Sequence, residues 1–136
     1  MIMSEEEMDE QIELQIKKSA ENDNYQSGAF RDKKTVEKGR FDLLPWDAIW
    51  ELAVHCAKGA EVYGERNCEK GIPQHSLIDS ATRHLACYQL GMDDENHLAA
   101  AMWNIAFALY NEKNNPEMQD IPARQGKVCL YRKGNE

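Results

Sequence analysis

"MDDENHLAAAMWNIAFALYNE" (residues 92–112) decides the fold. Its apolar residues Leu98, Met102, Ile105 and Leu109 recur at steps of three and four, the spacing of one face of an α-helix. Asp93, Asp94 and Glu95 open the stretch, where carboxylates complement the positive end of a helix dipole. The spacing predicts a helix over about residues 93–112, packed through that stripe.

Working outward, Ile78, Ala81, Leu85 and Tyr88 predict a second helix over 74–90, stopped by Gly91. "YGERNCEKGIP" (63–73) carries two glycines and a proline and reads as a loop. Before it, Pro45 sets the start of a helix over 45–62. Its apolar face would be Ile49, Leu52, Ala53, Cys56, Ala57 and Ala60. Residues 4–21 form a further helix, with Ser4 as cap, acids in the first turn and a narrow stripe of Met8, Ile12 and Ile16. Residues 22–37 are polar and read as an irregular arm. Residues 113–126 read as loop, and "KVCLYRK" (127–133) as a short strand or extended tail. Three helices joined by short connections, with a fourth upstream, predict an all-α bundle. Residues 1–37 are an N-terminal helix and linker arm; residues 38–136 are the helical domain with its short extended C-terminal tail.

The 136 residues suit one domain, and the net charge is −8. That charge argues against duplex nucleic acid, whose phosphates need a basic surface. It leaves room for a single nucleotide gripped by local cations and a divalent metal. No apolar run approaches membrane-spanning length, and the N-terminus lacks the basic and apolar regions of a secretory signal, so a cytoplasmic protein is expected. The cysteines Cys56, Cys68, Cys87 and Cys129 include no CxxC, which argues against a zinc ribbon. Cys56 and Cys87 read as buried reduced thiols.

The chemistry-bearing residues are carboxylates, imidazoles and arginines. Asp94, His97 and Asn104 share one helical strip, which can ligate a metal or hold a phosphate; a plainer reading has the acids serving the helix dipole and His97 packing. Arg83 and His84 border the apolar face of the second helix, and arginine suits bidentate phosphate contacts. Glu51 and His55 stand four apart on the first core helix, a metal-ligand spacing. Tyr63, Arg66, Asn67 and Lys70 lie in the glycine-bearing loop, where Tyr63 can stack on a base. "EEMDE" (Glu6 to Glu10) matches EExxE literally but reads as a solvated helix face. No P-loop and no nucleophile elbow is present. Metal-activated water attacking a phosphoanhydride needs the set that is present.

Read in order, "GRFDLLPWDAIWELA", "GAEVYGERNCEKGI" and "DSATRHLACYQLGMDDENHLAAAMWNIAFAL" resemble the N-terminal domain of dATP/dGTP diphosphohydrolases, a phage and prophage family related to the all-α MazG-like nucleotide pyrophosphohydrolases. The resemblance covers about residues 38–112. It implies an all-α, MazG-like bundle that cleaves dATP or dGTP between the α- and β-phosphates with Mg²⁺ or Mn²⁺, giving monophosphate and pyrophosphate. It also implies a homo-oligomer, in the host cytoplasm if phage-encoded. Arg40, Asp42, Tyr63, Asn67, Arg83, His84, Asp94, His97 and Asn104 match its pattern. The expected metal holders are Asp94, His97, His84 and Glu51, with Asp94, His97 and His84 catalytic. The expected substrate-binding residues are Arg40, Asp42, Tyr63, Arg66, Asn67, Arg83 and Asn104, with Tyr63 or Trp103 stacking on the base. The chain has Val62, Cys68 and Ala100 where the family usually has lysine, tryptophan and often histidine. The alternative is therefore a non-catalytic nucleotide-binding sponge or a protein-binding regulator.

Overall fold

Residues 2–126 are described by the computed structural model, with side chains for all of these except Lys18 and Ser19. The expected strand or tail at 127–133 lies outside the described residues. The chain divides into two compact units, the first ending at Leu44 and the second beginning at Pro45.

The first unit opens with α1 (Glu5–Glu21), held by a capping box: Glu7 N–H donates to the Ser4 hydroxyl, while the Glu7 carboxylate accepts from Ser4 N–H. Met8, Ile12 and Ile16 are exposed, as are the acids of the EEMDE stretch. The segment expected to be an irregular arm instead forms a small antiparallel hairpin, β1 (Asn22–Asn24) with β2 (Phe30–Asp32). Gly28, at φ 88°, supplies the left-handed residue its turn requires. Polar strands of three residues carry too little alternation to be seen as strands.

In the second unit, α2 (Trp46–Tyr63), α3 (Gln74–Gln89) and α4 (His97–Asn114) form the bundle. The all-α expectation is met. Pro45 and Pro73 each stand just before a helix, and neither helix has a side-chain cap at that position. For α3 the cap comes from far along the chain: His75 N–H donates to Asp120 Oδ1 at 2.8 Å. The His75 ring also pairs with the Asp120 carboxylate. For α4 the cap is Asn96, whose Oδ1 accepts from Ala99 N–H at 3.0 Å. The helix thus starts at His97 rather than 93, because a strong capping residue outcompetes the acids before it.

The buried faces differ from the expected stripes. On α4 the inner residues are His97, Ala99, Ala100, Ala101, Asn104, Ala108 and Asn111. Leu98, Ile105 and Leu109, three of the four expected core residues, are nearly half exposed, at 45–46%. On α3 the inner residues are Gln74, Leu77, Ala81 and His84, while Ile78, Leu85 and Tyr88 are exposed. Only Ala81 belongs to both sets. Small side chains let α3 and α4 approach closely, and that contact turns the polar, alanine-rich faces inward. No residue of α2 is fully buried, and Cys56, expected inside, is exposed.

Buried amides complete the packing. Gln74 Nε2 donates to the Ala108 carbonyl at 3.0 Å, and Asn111 Nδ2 donates to the Ile72 carbonyl at 2.7 Å and to Gln74 Oε1 at 3.1 Å. These contacts run the start of α3 against the end of α4, so the two helices are antiparallel. They also tie the 64–73 loop to α4, helped by Asn115 Nδ2 donating to the Glu69 carbonyl. Gly71, at φ 107°, closes the loop where Met118 Cγ would stand 3.0 Å from any Cβ.

Candidate functional site

The antiparallel pairing of α3 and α4 carries His84, late in α3, to His97, first in α4. Their Nδ1 atoms stand 3.0 Å apart, and both rings are buried. Glu95, in the turn before α4, brings Oε1 to 3.0 Å from His84 Nδ1 and 3.5 Å from His97 Nδ1. Among the described residues these three form a group able to hold a metal ion. Facing lone pairs repel, so three such atoms call for a proton or a cation among them. Ligand atoms about 2.1 Å from a metal stand about 3.0 Å apart at right angles and about 3.4 Å apart in a tetrahedron. The three observed separations fall at those edges, so the donor set fits a metal.

Asp94 approaches the same ring from its other edge: His97 Nε2 lies 2.7 Å from Asp94 Oδ1. That hydrogen bond holds the Asp94 carboxyl below the usual carboxylate range. Burial pushes the His84 imidazole below its ordinary pKa, against the pull of Glu95, and the nearby Arg83, His97 and His55 add to the fall. A neutral imidazole is the form a metal needs.

Farther along α4 from His97, α2, the 64–72 loop and α4 line an open cavity of about 450 Å³. Tyr63, Trp103 and Phe107 supply its aromatic walls, and Arg66 and Asn67 its polar rim. Trp103 and Phe107 rings stand 4.7 Å apart, and Trp103 also meets His55 at 5.8 Å. Trp103 thus joins the cavity wall to His55 on α2. The volume lies within the range of small-ligand sites.

His84, His97 and Asp94 are thus brought together, although Asp94 precedes α4 instead of riding on it. Glu51 does not join the group of three; its Oε2 accepts from Asn96 Nδ2 at 3.3 Å, beside the α4 cap. Tyr63, Arg66 and Asn67 gather at the cavity. Arg66 sits in the left-handed region at φ 60° and pairs with Glu69 at 2.8 Å. Arg83 is exposed and donates to the Ser80 hydroxyl at 3.3 Å. Asn104 is buried and donates to the Ala100 carbonyl of its own helix at 2.8 Å. Arg40 and Asp42 lie in the first unit, paired through two parallel hydrogen bonds of 2.8 and 2.7 Å. Glu95 is the residue that sequence reasoning left among the dipole acids. The signal for it, an acid two residues before His97, needed the α4 start to be placed correctly.

A family model described as dATP/dGTP diphosphohydrolase, N-terminal, matches residues 29–121. The chain belongs to this family. The match spans His84, Glu95 and His97, the cavity walls and Asp120, and reaches beyond the expected 38–112 at both ends. Neither a curated protein nor a solved structure matches the chain. Among the described residues no helix is long and apolar enough to cross a membrane.

Proposed function

We propose that the chain hydrolyses dATP or dGTP to the monophosphate and pyrophosphate at a divalent metal held by His84, Glu95 and His97. The observation that carries this reading is the convergence of three donor atoms within 4.8 Å of one another, at the start of the helix that farther along walls an aromatic-lined cavity. When bound, the metal supplies a Lewis acid and a water of lowered pKa. Two imidazoles and one carboxylate suit Mn²⁺ better than Mg²⁺, which prefers oxygen donors. Trp103, Phe107 and Tyr63 stack against the purine, and Arg66 and Arg83 offset phosphate charge. Water adds to the α-phosphorus and gives up a proton to solvent as the bond from that phosphorus to the bridging oxygen breaks, and pyrophosphate leaves.

The exposed apolar residues support a homo-oligomer. Trp50 on α2 is 73% exposed, and Ile105 and Leu109 on α4 about half that or more. A binding-only module is the second reading, favoured by Val62: it stands exposed beside Tyr63 where the family usually has a lysine.

The test is incubation of pure protein with dGTP or dATP and Mn²⁺, with pyrophosphate as readout. Release that disappears in His97→Ala and Glu95→Ala supports hydrolysis. Stoichiometric nucleotide binding without product supports the second reading, and no response to nucleotide removes both.

A further inference from the structure

Asp94 and Glu95 are consecutive, yet they straddle one imidazole. Glu95 meets the Nδ1 edge of His97 at 3.5 Å, and Asp94 meets the Nε2 edge at 2.7 Å. On a helix neighbouring residues diverge by about 100°. Here both precede α4, and the turn is free to send them to opposite sides of the ring. His84 Nδ1 lies on the Glu95 side, 3.0 Å from His97 Nδ1. A cation gathered by His84, Glu95 and His97 therefore meets His97 at Nδ1, with Asp94 across the ring from it.

We propose that Asp94 is a positioning residue: its carboxylate accepts the Nε2–H of His97 and so fixes the tautomer that turns the Nδ1 lone pair toward His84 and Glu95. This rests on the metal reading above and assigns the two acids different tasks within it. An imidazole ligand donates its second N–H to such a partner, which sets the ring's orientation and raises its basicity. The burial pattern agrees. The His97 side chain is 4% exposed, whereas that of Asp94 is 64% exposed. The carboxylate keeps its hydration while steering a ring that has none.

The test uses metal alone. Wild type, Asp94→Ala, Asp94→Asn and Glu95→Ala are titrated with MnCl₂ by calorimetry, and their Co²⁺ absorption spectra are compared, with circular dichroism confirming the helices. Asp94→Ala should weaken Mn²⁺ binding roughly 10- to 100-fold with unchanged stoichiometry and an unmoved Co²⁺ band. Asp94→Asn, which keeps an acceptor oxygen, should lose less. Glu95→Ala should move the Co²⁺ band. Unchanged affinity in Asp94→Ala overturns the assignment, as does a Co²⁺ band displaced as far as in Glu95→Ala, which would make Asp94 a ligand. Wild type that binds neither ion overturns the metal reading itself, and the role of Asp94 with it.

Discussion

His84 and His97 are 13 residues apart in the chain, yet their Nδ1 atoms meet at 3.0 Å in the interior of the α3–α4 contact. The His84 ring cannot take a proton there without cost. Burial lowers the His84 pKa below its ordinary value of about 6.5, whereas the unfolded chain titrates at that value. Below about pH 6.5 the unfolded state thus binds a proton that the folded state refuses, and stability falls with pH until the folded pKa is reached. Above about pH 6.5, where both states leave the ring neutral, this contribution is level. Urea unfolding of metal-free protein should show a lower midpoint at pH 5.5 than at 7.5, and His84→Gln should reduce the difference. An equal difference in both proteins would remove His84 as its source.

Trp103 stands between the cavity and His55. Base stacking on an aromatic ring contributes about 1–3 kcal/mol. Trp103→Ala should therefore weaken nucleotide binding by roughly 5- to 100-fold, while Mn²⁺ binding without nucleotide stays as in wild type. Equilibrium dialysis with labelled dGTP and calorimetry with MnCl₂ separate the two effects. Joint loss of both would mean that the bundle, not the base site, was damaged.

Asn111 serves structure. Its amide is buried at 2% exposure and holds the Ile72 carbonyl and Gln74. Asn111→Ala leaves those groups without a donor, at a cost of about 1–3 kcal/mol. Chemical denaturation should show that loss. Because the same bond anchors the loop before α3, nucleotide affinity should fall as well.

Arg40 and Asp42 report on acid. The side-chain hydrogen bond from Arg40 lowers the Asp42 carboxyl to about 2. A carboxylate whose folded pKa is depressed stabilises above its unfolded value of about 3.9 and loses that contribution as pH falls toward the folded one. NMR titration of the Asp42 side chain should give a midpoint near that low value, returning to the ordinary range in Arg40→Ala. An ordinary midpoint in wild type would show that the pair does not persist in solution.

Much of the bundle was legible because helix punctuation is local. Ser4 with Glu7, Pro45, Pro73 and Gly91 mark ends that depend only on nearby backbone chemistry. The inward faces were not legible. Leu98, Ile105 and Leu109 form the better apolar stripe on α4, but the partner helix selects Ala101, Asn104 and Ala108 because small side chains permit a closer contact. His84 and His97 were legible as candidates by residue type. Glu95 was not, since its role depends on Asn96 ending the turn and starting the helix. Asp120 as the cap of α3 lay 45 residues from its target, beyond any local pattern.

The alanines between α3 and α4 have a consequence for how this protein can be tuned. Ala81, Ala100 and Ala101 are at most 4% exposed, so there is no slack where the two backbones run side by side. The gap between the imidazoles is inherited from that backbone spacing. Two added methyl groups, as in Ala81→Val, would act as a wedge and part the rings from a position that touches neither nucleotide nor cation. Affinity for the ion would then be dialled down at a distance, with no ligand residue replaced.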